Sequence, residues 1–299
     1  MKRHSKTWLR HLAAVVCGLL LSQTPLRLFA QNGQPAPLQL LSANRLNDVV
    51  APIALYPDAL ISQVLVASTY PLELVQAQQW LQRQPGLKGS ALTEAEQQQN
   101  WDPSVQELLM FPDVLQRLNG DIEWTTNLGN AFLTQRADVM NAIQRLRLNA
   151  EQSGKLVSTS QQQVLTTTED GETFVTIMPA NPDVIYVPVY DPEWFWGPAV
   201  YYTYPHSYFA PRPGLSFGVG IPVGTFFGSG WGGWSSWGWY PHWGSRTIVV
   251  NNGFLQRYHF NSGRLALRPV RPSPVHPLPR RALIVPHAGH AFHGRGVAR

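Results

Sequence analysis

The stretch VMNAIQRLRLNAEQSGKLVSTSQQQVLTTTEDGETFVTIM (Val139–Met178) changes its hydrophobic period partway along. Before residue 156 the apolar side chains recur at helical spacing, so that Val139, Ile143 and Leu146 fall on one helical face. The same face continues back to Phe132. After residue 156 apolar and polar residues alternate, which is typical of a strand with one buried side. The change predicts an α+β protein, in which an N-terminal helical bundle precedes a small antiparallel β unit.

Upstream of this stretch, residues 44–154 predict a helical domain of five or six short helices with a shared apolar core. A proline can open a helix because a first-turn residue needs no N–H partner. Four prolines stand at such positions: Pro57, Pro71, Pro103 and Pro112. Asp102 is a good N-cap, Thr93 and Glu96 have capping-box spacing, and Gly154 is a plausible C-cap.

Residues 155–193 predict the β unit. Val164–Thr168 and Thr173–Met178 flank Asp170-Gly171, which indicates a β-hairpin with a tight turn. Val184–Tyr190 predicts a third strand, and Pro188 places it at an edge or a strand end.

Residues 194–253 form a region rich in Gly, Trp and Tyr that has no charged side chain between Pro213 and Ser245. Apolar residues alternate with Ser, Gly and Pro from Leu215 to Gly224, which favours a strand over a membrane-spanning helix. Residues 254–299 are rich in Arg, Pro and His, and this composition predicts a disordered basic tail.

The first 30 residues have the parts of a secretory signal peptide. Basic residues precede a short apolar run, Leu12–Leu21, and Ala30 is a small residue at a plausible cleavage position. An uncleaved N-terminal anchor is the alternative. Residues 31–43 are a polar, proline-containing linker. The only cysteine is Cys17, so a processed chain has no disulfide and no thiol nucleophile.

Charge divides the chain into an acidic body and a basic end. Residues 31–193 contain 18 acidic and 8 basic side chains, a net charge of −10, whereas the chain after Glu193 has no acid and ten arginines. This asymmetry indicates a tail that meets an anionic surface or folds back on its own body.

Several long runs resemble the bacterial domain-of-unknown-function family 3300. They are APIALYPDALISQVLVASTYPLELVQAQQWL (Ala51–Leu81), WDPSVQELLMFPDVLQRL (Trp101–Leu118), LGNAFLTQRADVMNAIQRLR (Leu128–Arg147) and ANPDVIYVPVYDP (Ala180–Pro192). The resemblance covers roughly residues 46–250. It implies an exported or membrane-associated protein of Gram-negative bacteria with no established activity, and it brings no catalytic residues. A further basic segment that members often carry after the Gly/Trp region is not clearly present here.

Residues 31–193 contain neither His nor Cys, which excludes Ser-His-Asp and Cys-His catalysis within the acidic body. Carboxylate pairs remain, such as Asp58 with Asp113 or Asp102 with Glu73, and a glycan-cleaving enzyme needs only two such groups. Helix capping is the alternative explanation for Asp58, Asp102 and Asp113. We therefore predict no catalytic residue.

His287, His290 and His293, with His276, could present imidazoles to a metal ion, but a compositionally biased tail is the favoured explanation. We predict no metal site and no cofactor. Since no phosphate loop, dinucleotide fingerprint or zinc motif is present, and the signal indicates export, we also predict no nucleic-acid partner.

The tryptophans of the Gly/aromatic region are the candidate surface-contact residues. They are Trp194, Trp196, Trp231, Trp234, Trp237, Trp239 and Trp243. Such rings could pack on their own domain, lie at a membrane surface or stack on sugars. Self-association of these segments is a further alternative.

Together these patterns predict an exported, periplasmic or envelope protein that binds, tethers or scaffolds without catalysis. Its expected partner is a membrane surface or an anionic envelope polymer. The rival prediction is a carboxylate-dependent enzyme acting on cell-wall glycan.

Overall fold

The computed structural model describes residues 40–169, 171–202, 204–205, 213–227 and 237–257. Between Ala43 and Gln152 every regular element is a helix, as the sequence predicted, although there are eight α-helices instead of five or six. The helices are α1 (Ala43–Val50), α2 (Asp58–Ala67), α3 (Pro71–Gln82), α4 (Ser90–Glu96), α5 (Pro103–Glu107), α6 (Pro112–Gly120), α7 (Ile122–Thr134) and α8 (Arg136–Gln152), with a 3₁₀ turn at Leu108–Met110 between α5 and α6.

The helix starts follow the proline prediction closely. Pro71, Pro103 and Pro112 are the first residues of α3, α5 and α6, and Pro57 is the residue before α2. The N-cap prediction is confirmed for Asp102, whose carboxylate accepts the Ser104 N–H at 2.9 Å.

Three helical details differ from the sequence prediction. The capping box is wrong, because α4 begins at Ser90 and both Thr93 and Glu96 lie inside it, buried. Asp58 and Asp113 stand in the first turns of their helices but cap neither of them. Phe132 does not share a helix with Val139, because the chain bends at Gln135 between α7 and α8.

The end of α8 was predicted correctly. Gly154 has φ +69°, a left-handed conformation that glycine adopts without strain, and the Lys155 N–H returns to the Ala150 carbonyl at 2.9 Å. The Lys155 side chain then donates to the carbonyl oxygens of Trp194 and Phe195. The helix end is thereby tied to the region that follows the β unit.

The predicted hairpin is present as β1 (Gln162–Glu169) and β2 (Glu172–Pro179), antiparallel, with Thr168 opposite Thr173. Gly171 has φ +80°, as a tight turn requires. β2 packs on α8, and Phe174, Val175 and Ile177 are buried. Because successive side chains of a strand alternate, Phe174 lies on the opposite face from Val175 and Ile177.

The predicted third strand is divided. β3 (Val184–Ile185) pairs with β6 (Ile221–Pro222), and β4 (Pro188–Tyr190) pairs with β5 (Leu215–Phe217), all antiparallel. Pro188 is the first residue of β4, where its missing N–H costs no ladder bond. The alternating stretch after Leu215 is therefore two short strands, each paired with one half of the predicted third strand in a two-stranded sheet separate from the first hairpin.

The remaining elements are α9 (Pro192–Trp196), α10 (Gly224–Phe227), the hairpin β7 (Trp239–His242) with β8 (Thr247–Val250), and α11 (Asn252–Arg257). The prediction that the disordered tail begins at residue 254 is wrong, because Phe254 and Leu255 of α11 are buried in the core. The part of that tail beyond Arg257 lies outside the described residues.

One apolar core joins the helices, the first hairpin and the last hairpin. Leu46, Leu60, Ile143 and Val175 belong to it, and so does Trp239 of β7, which packs along α2. Among the residues described by the structure, no helix has both the length and the apolar character needed to cross a bilayer.

Candidate functional site

A pocket on the helical part of the structure is lined mainly by prolines and aromatic rings. We call it the proline–aromatic pocket. Its enclosed volume is about 20 Å³, room for roughly one water molecule. Its lining residues are Pro52, Ile53, Tyr56, Val114, Arg117, Leu118, Trp124, Tyr190, Pro192 and Pro205. Small-molecule sites usually measure about 300–1,000 Å³, so this pocket is a small gap in the packing of the helical body.

The loop after α1, helix α6 and the chain around β4 build this pocket together. The Tyr190 hydroxyl donates to the Ala51 carbonyl at 2.7 Å and accepts the Leu55 N–H at 3.3 Å. The Trp124 ring nitrogen donates to the Val49 carbonyl at 2.9 Å. These bonds hold both rings in place. Burial raises the pKa of Tyr190 well above its ordinary value, so its hydroxyl stays protonated.

Arg117 supplies the one charged group in the lining. Its guanidinium donates to the Tyr56 hydroxyl at 2.6 Å and to the Pro188 carbonyl at 3.1 Å. Burial by itself would lower the pKa of Arg117, but Tyr56, Tyr190 and Asp113 outweigh that effect and the pKa is raised. Arg117 therefore remains a cation at every physiological pH.

Five carboxylates stand within three residues of the pocket lining in the sequence: Asp113, Asp121, Glu123, Asp191 and Glu193. Asp121 and Asp191 cap α7 and α9 by accepting the N–H groups of Trp124 and Glu193. Asp113, Glu123 and Glu193 are exposed.

The segment that leads to Pro205 is anchored by one buried carboxylate. Asp48 Oδ2 accepts the backbone N–H groups of Val200, Tyr201 and Tyr202 at 3.1, 2.7 and 3.3 Å. Three converging N–H donors stabilise an anion strongly, and they position the chain that closes one side of the pocket. Asp48 therefore has a structural role, which nothing in the sequence pattern indicated.

Asp58, one of the carboxylates considered for catalysis, lies in a partly buried ion pair instead, in which its own side chain is 15% exposed and that of Arg147 is fully buried. Its Oδ1 accepts from Arg147 Nη1 at 2.5 Å and from the Ile177 N–H at 3.2 Å, and its Oδ2 accepts from the Trp243 ring nitrogen at 2.9 Å. Asp113 has different surroundings, beside Arg117 and Gly218. The structure thus gives these two carboxylates separate neighbours.

Arg147 completes this arrangement from α8. It is fully buried, and it also donates to the carbonyl oxygens of Ala54 at 2.7 Å, Tyr56 at 2.7 Å and Val175 at 3.0 Å. The guanidinium lies 5.0 Å from the Trp243 ring centroid. One side chain therefore joins α8, the loop before α2, β2 and the last hairpin.

The other carboxylate pair is brought together, with Asp102 enclosed and Glu73 half-buried. Glu73 Oε2 accepts the Asp102 N–H at 2.6 Å, while the Asp102 carboxylate binds Ser104 and is 1% exposed. A carboxylate that caps a helix and is covered by protein cannot reach a polymer in solution. Helix capping therefore accounts for Asp102.

Two further glutamates, Glu96 and Glu107, have buried side chains, and the sequence had indicated Glu96 only as part of a capping box. Glu107 Oε2 accepts the Trp239 ring nitrogen at 3.1 Å, and both oxygens of Glu96 have no hydrogen-bond partner among the described residues. Burial, and then the charge of Glu107, raises the pKa of Glu96 well above its ordinary value. Burial does the same for Glu107, partly offset by Trp239. Within the described ranges, no group of three or more His, Cys, Asp or Glu is placed to hold a metal ion.

The seven candidate tryptophans lie in different environments. Trp237, Trp239 and Trp243 are buried at 0%, 1% and 6% exposure, so their rings pack on their own domain. Trp196 is half-buried and donates to the Leu146 carbonyl at 3.0 Å, and Trp194 is 37% exposed. The other two, Trp231 and Trp234, fall outside the described residues, as do the histidines after residue 257.

The structure is that of an α+β protein in which most of the polar groups described above stabilise the fold, beside an apolar pocket. This defines the structural class of the protein but not a reaction. Comparison with known proteins gives the family. Residues 42–268 match the family DUF3300, described as a protein of unknown function, and the chain belongs to this family.

A relative with a similar sequence is also uncharacterised. Over 204 residues the chain is 40% identical to the uncharacterised protein YacH of Escherichia coli (strain K12). The alignment covers 59% of this chain and 33% of YacH, so the matching region spans about a third of that relative. No solved structure matches the chain significantly.

Proposed function

We propose that this protein is an exported component of a bacterial cell envelope that binds a membrane surface without catalysing a reaction. The proposal of export is supported by the N-terminal sequence, with its basic residues, its apolar run and Ala30. The mass of the N-terminal peptide recovered from cells tests it. Processing after Ala30 is expected, and an intact Met1 or Lys2 terminus in the recovered protein would contradict export with cleavage.

The observation that carries the membrane proposal is an exposed segment, residues 194–201. Trp194, Val200 and Tyr201 expose 37%, 75% and 45% of their surface. Lys155 Nζ lies 4.7 Å from the Trp194 ring centroid, and the Arg45 guanidinium lies 5.4 Å from the Tyr201 ring centroid. Aromatic rings beside cations suit the headgroup level of a bilayer with anionic lipids.

Because three of the candidate tryptophans are buried, fewer residues remain for the proposed membrane contact. Since Trp237, Trp239 and Trp243 are core residues, the described part of the contact is the exposed segment, with Trp194 and Trp196 as its rings. A chain shortened to Pro192 would lose those core residues and would report misfolding rather than lost attachment. Single surface substitutions are the sharper test.

The test uses the mature chain, residues 31–299, sedimented with vesicles of phosphatidylglycerol and phosphatidylcholine. Trp194→Ser and Val200→Ser are expected to weaken binding severalfold, because each removes apolar surface that would enter the interface. Tyr240→Ser and Val219→Ser are matched controls, since these side chains are 39% and 88% exposed but lie outside the segment.

The salt concentration and the choice of binding partner show which interaction causes the binding. Raising the salt concentration should weaken binding to phosphatidylglycerol vesicles, because screening reduces attraction between the cations and the anionic lipid. If the controls weaken binding as much as the segment variants do, or if wild-type protein stays in solution, the membrane proposal is wrong. Binding to isolated cell-wall polymer but not to vesicles would instead favour an anionic envelope polymer as the partner.

A further inference from the structure

We propose that residues 237–257 form a pH-sensitive clasp on the helical body, which is closed at acidic pH and opens at its α11 end as the pH rises. The clasp consists of the last hairpin, β7–β8, and α11. Its two ends meet different chemistry. The turn between β7 and β8 contacts paired charges, whereas the α11 end lies over a buried carboxyl group. The inference does not depend on membrane binding.

Paired charges hold the turn end of the clasp. The Trp243 ring nitrogen donates to Asp58 Oδ2 at 2.9 Å, and Asp58 is paired with Arg147. Three residues further on, Arg246 is paired with Glu172. Each carboxylate at this end therefore faces a cation, and the closed state compensates its charge.

The α11 end of the clasp lies directly over Glu107. Glu107 Oε2 accepts the Trp239 ring nitrogen at 3.1 Å, and its Oε1 has no hydrogen-bond partner among the described residues. A Cβ on Gly238 would lie 3.0 Å from Oε1, so the backbone of the clasp passes close to this carboxyl. Glu107 and Trp239 are 0% and 1% exposed. Water can therefore reach the carboxyl only if the surrounding elements move.

A second buried carboxyl, Glu96, lies at the end of α4, close enough to Glu107 for their charges to repel. α4 packs against α10, and the Phe227 ring of α10 lies 5.8 Å from the Trp237 ring and 5.1 Å from the Phe254 ring. These buried rings join α10 to the clasp beside α4. Opening at this end would expose the aromatic cluster, and it would give water access to both carboxyls.

The elements packed around the two carboxyls supply mainly acids. Asp102, the N-cap of α5, raises the pKa of Glu107 further through its charge. The other ionisable groups on these elements are Glu73 on α3, Glu94 on α4, Asp58 on α2, Tyr240 and His242 on β7, and Arg257 on α11. Of these, Glu94, Tyr240, His242 and Arg257 are exposed. α10 carries no ionisable side chain.

The two carboxyls make closure depend on pH. Burial, and then the charge of Glu107, raises the pKa of Glu96, and burial raises the pKa of Glu107 with a partial offset from Trp239. In the open state both groups are hydrated and return toward the ordinary glutamate range. The closed state therefore binds these protons more tightly. Closure is fully favoured below the ordinary range and is lost as the pH rises toward the raised values.

The opening is local because little is lost at the α11 end. α11 has six residues, and its buried side chains are Phe254 and Leu255. Releasing a short terminal element costs less than unfolding the whole domain, while the paired charges keep the turn in place. Each carboxyl can change the ratio of open to closed molecules by up to about tenfold per pH unit.

The test measures distances between nitroxide labels on the mature full chain, which has no cysteine of its own because Cys17 lies in the signal. Gln79→Cys on α3 with Gln256→Cys on α11 reports the α11 end, and both positions are exposed. Gln79→Cys with Thr247→Cys reports the turn end. As the pH rises from acidic to mildly alkaline, pulsed electron resonance should show a severalfold larger share of long distances for the first pair. The second pair should keep one narrow peak.

Carboxyl variants identify the cause of the opening. Glutamine has the shape of protonated glutamic acid but cannot ionise, so Glu96→Gln/Glu107→Gln should keep the first pair narrow across the pH range. Glu96→Gln alone, which leaves the bond from Trp239 in place, should already reduce the response. Glu94→Gln and His242→Gln remove exposed ionisable groups on α4 and β7, and both should respond as the wild type does.

Three results would overturn the proposal. The first is a wild-type chain whose α11 distance does not change with pH. The second is a Glu96→Gln/Glu107→Gln variant that responds as the wild type does. The third is equal broadening of both label pairs, which would show that the whole fold loosens and that no clasp opens.

Discussion

Asp58→Asn tests whether this carboxylate holds the fold or serves a reaction. The substitution keeps the size of the side chain but removes the negative charge that faces Arg147, which is fully buried. It also places an amide near groups that donate hydrogen bonds, the Trp243 ring nitrogen and the Ile177 N–H. We expect the variant to be much less stable than the wild type.

The magnitude follows from the surroundings of the pair. Breaking a buried ion pair by neutralising one partner costs about 3–5 kcal/mol, because the remaining charge is left uncompensated. For a domain of this size each kcal/mol lowers Tm by roughly 2–4 °C, so Tm should fall by about 6–20 °C. Urea unfolding of the mature chain, followed by circular dichroism, measures the free energy of unfolding directly.

Two comparisons sharpen the test. Asp183→Asn alters an exposed carboxylate and should change stability by less than about 0.5 kcal/mol. Combining Asp58→Asn with Arg147→Met should cost less than the sum of the two single changes, because the unpaired charge is then absent. A stable Asp58→Asn protein that no longer releases fragments from peptidoglycan, when the wild type does, would refute the structural role. That result would support the glycan enzyme.

Two further predictions concern the core. Gly129→Ala should destabilise the protein by about 1–3 kcal/mol despite the better helix propensity of Ala, since the new Cβ would lie 2.1 Å from the Ser68 carbonyl oxygen. Gly86→Ala, where nothing lies within 4 Å, is the control, and equal melting temperatures for the two variants would contradict the close packing. Because burial and Glu107 raise the pKa of Glu96, the folded state binds this proton more tightly than the unfolded state, and stability falls as pH rises above the ordinary glutamate range. Glu96→Gln should remove that loss, so urea midpoints of variant and wild type should diverge as pH rises above the ordinary glutamate range, and parallel curves would contradict the prediction.

Local chemistry explains why the sequence predicted the elements well. Prolines at helix starts, Gly154 at the end of α8 and the two-residue turn of the first hairpin act over a few residues, so the sequence alone specifies them. The capping box failed for the opposite reason. Thr93 and Glu96 have the right spacing, but tertiary packing placed the helix start four residues earlier, with Gly89 as the N-cap, and buried both side chains.

The candidate surface residues show where sequence reasoning could not decide. A Trp/Gly-rich stretch is compatible with a core, a membrane surface or a sugar site, because a ring has the same chemistry in each. Trp239 is buried because β7 packs against α2. Trp243 is enclosed because the side chains of Arg147 and Asp58 contact its ring. Trp194 stays exposed because α9 presents it outward beside Lys155.

The sequence by itself determined the α+β class, the family, and the division between an acidic body and a basic end, since each depends on composition or on neighbouring residues. The tertiary structure decided the roles of the carboxylates. Asp58 pairs with Arg147, 89 residues away, and Asp48 holds a segment more than 150 residues away. Contacts between residues this distant in sequence depend on how the helices and hairpins pack, and no local pattern records them.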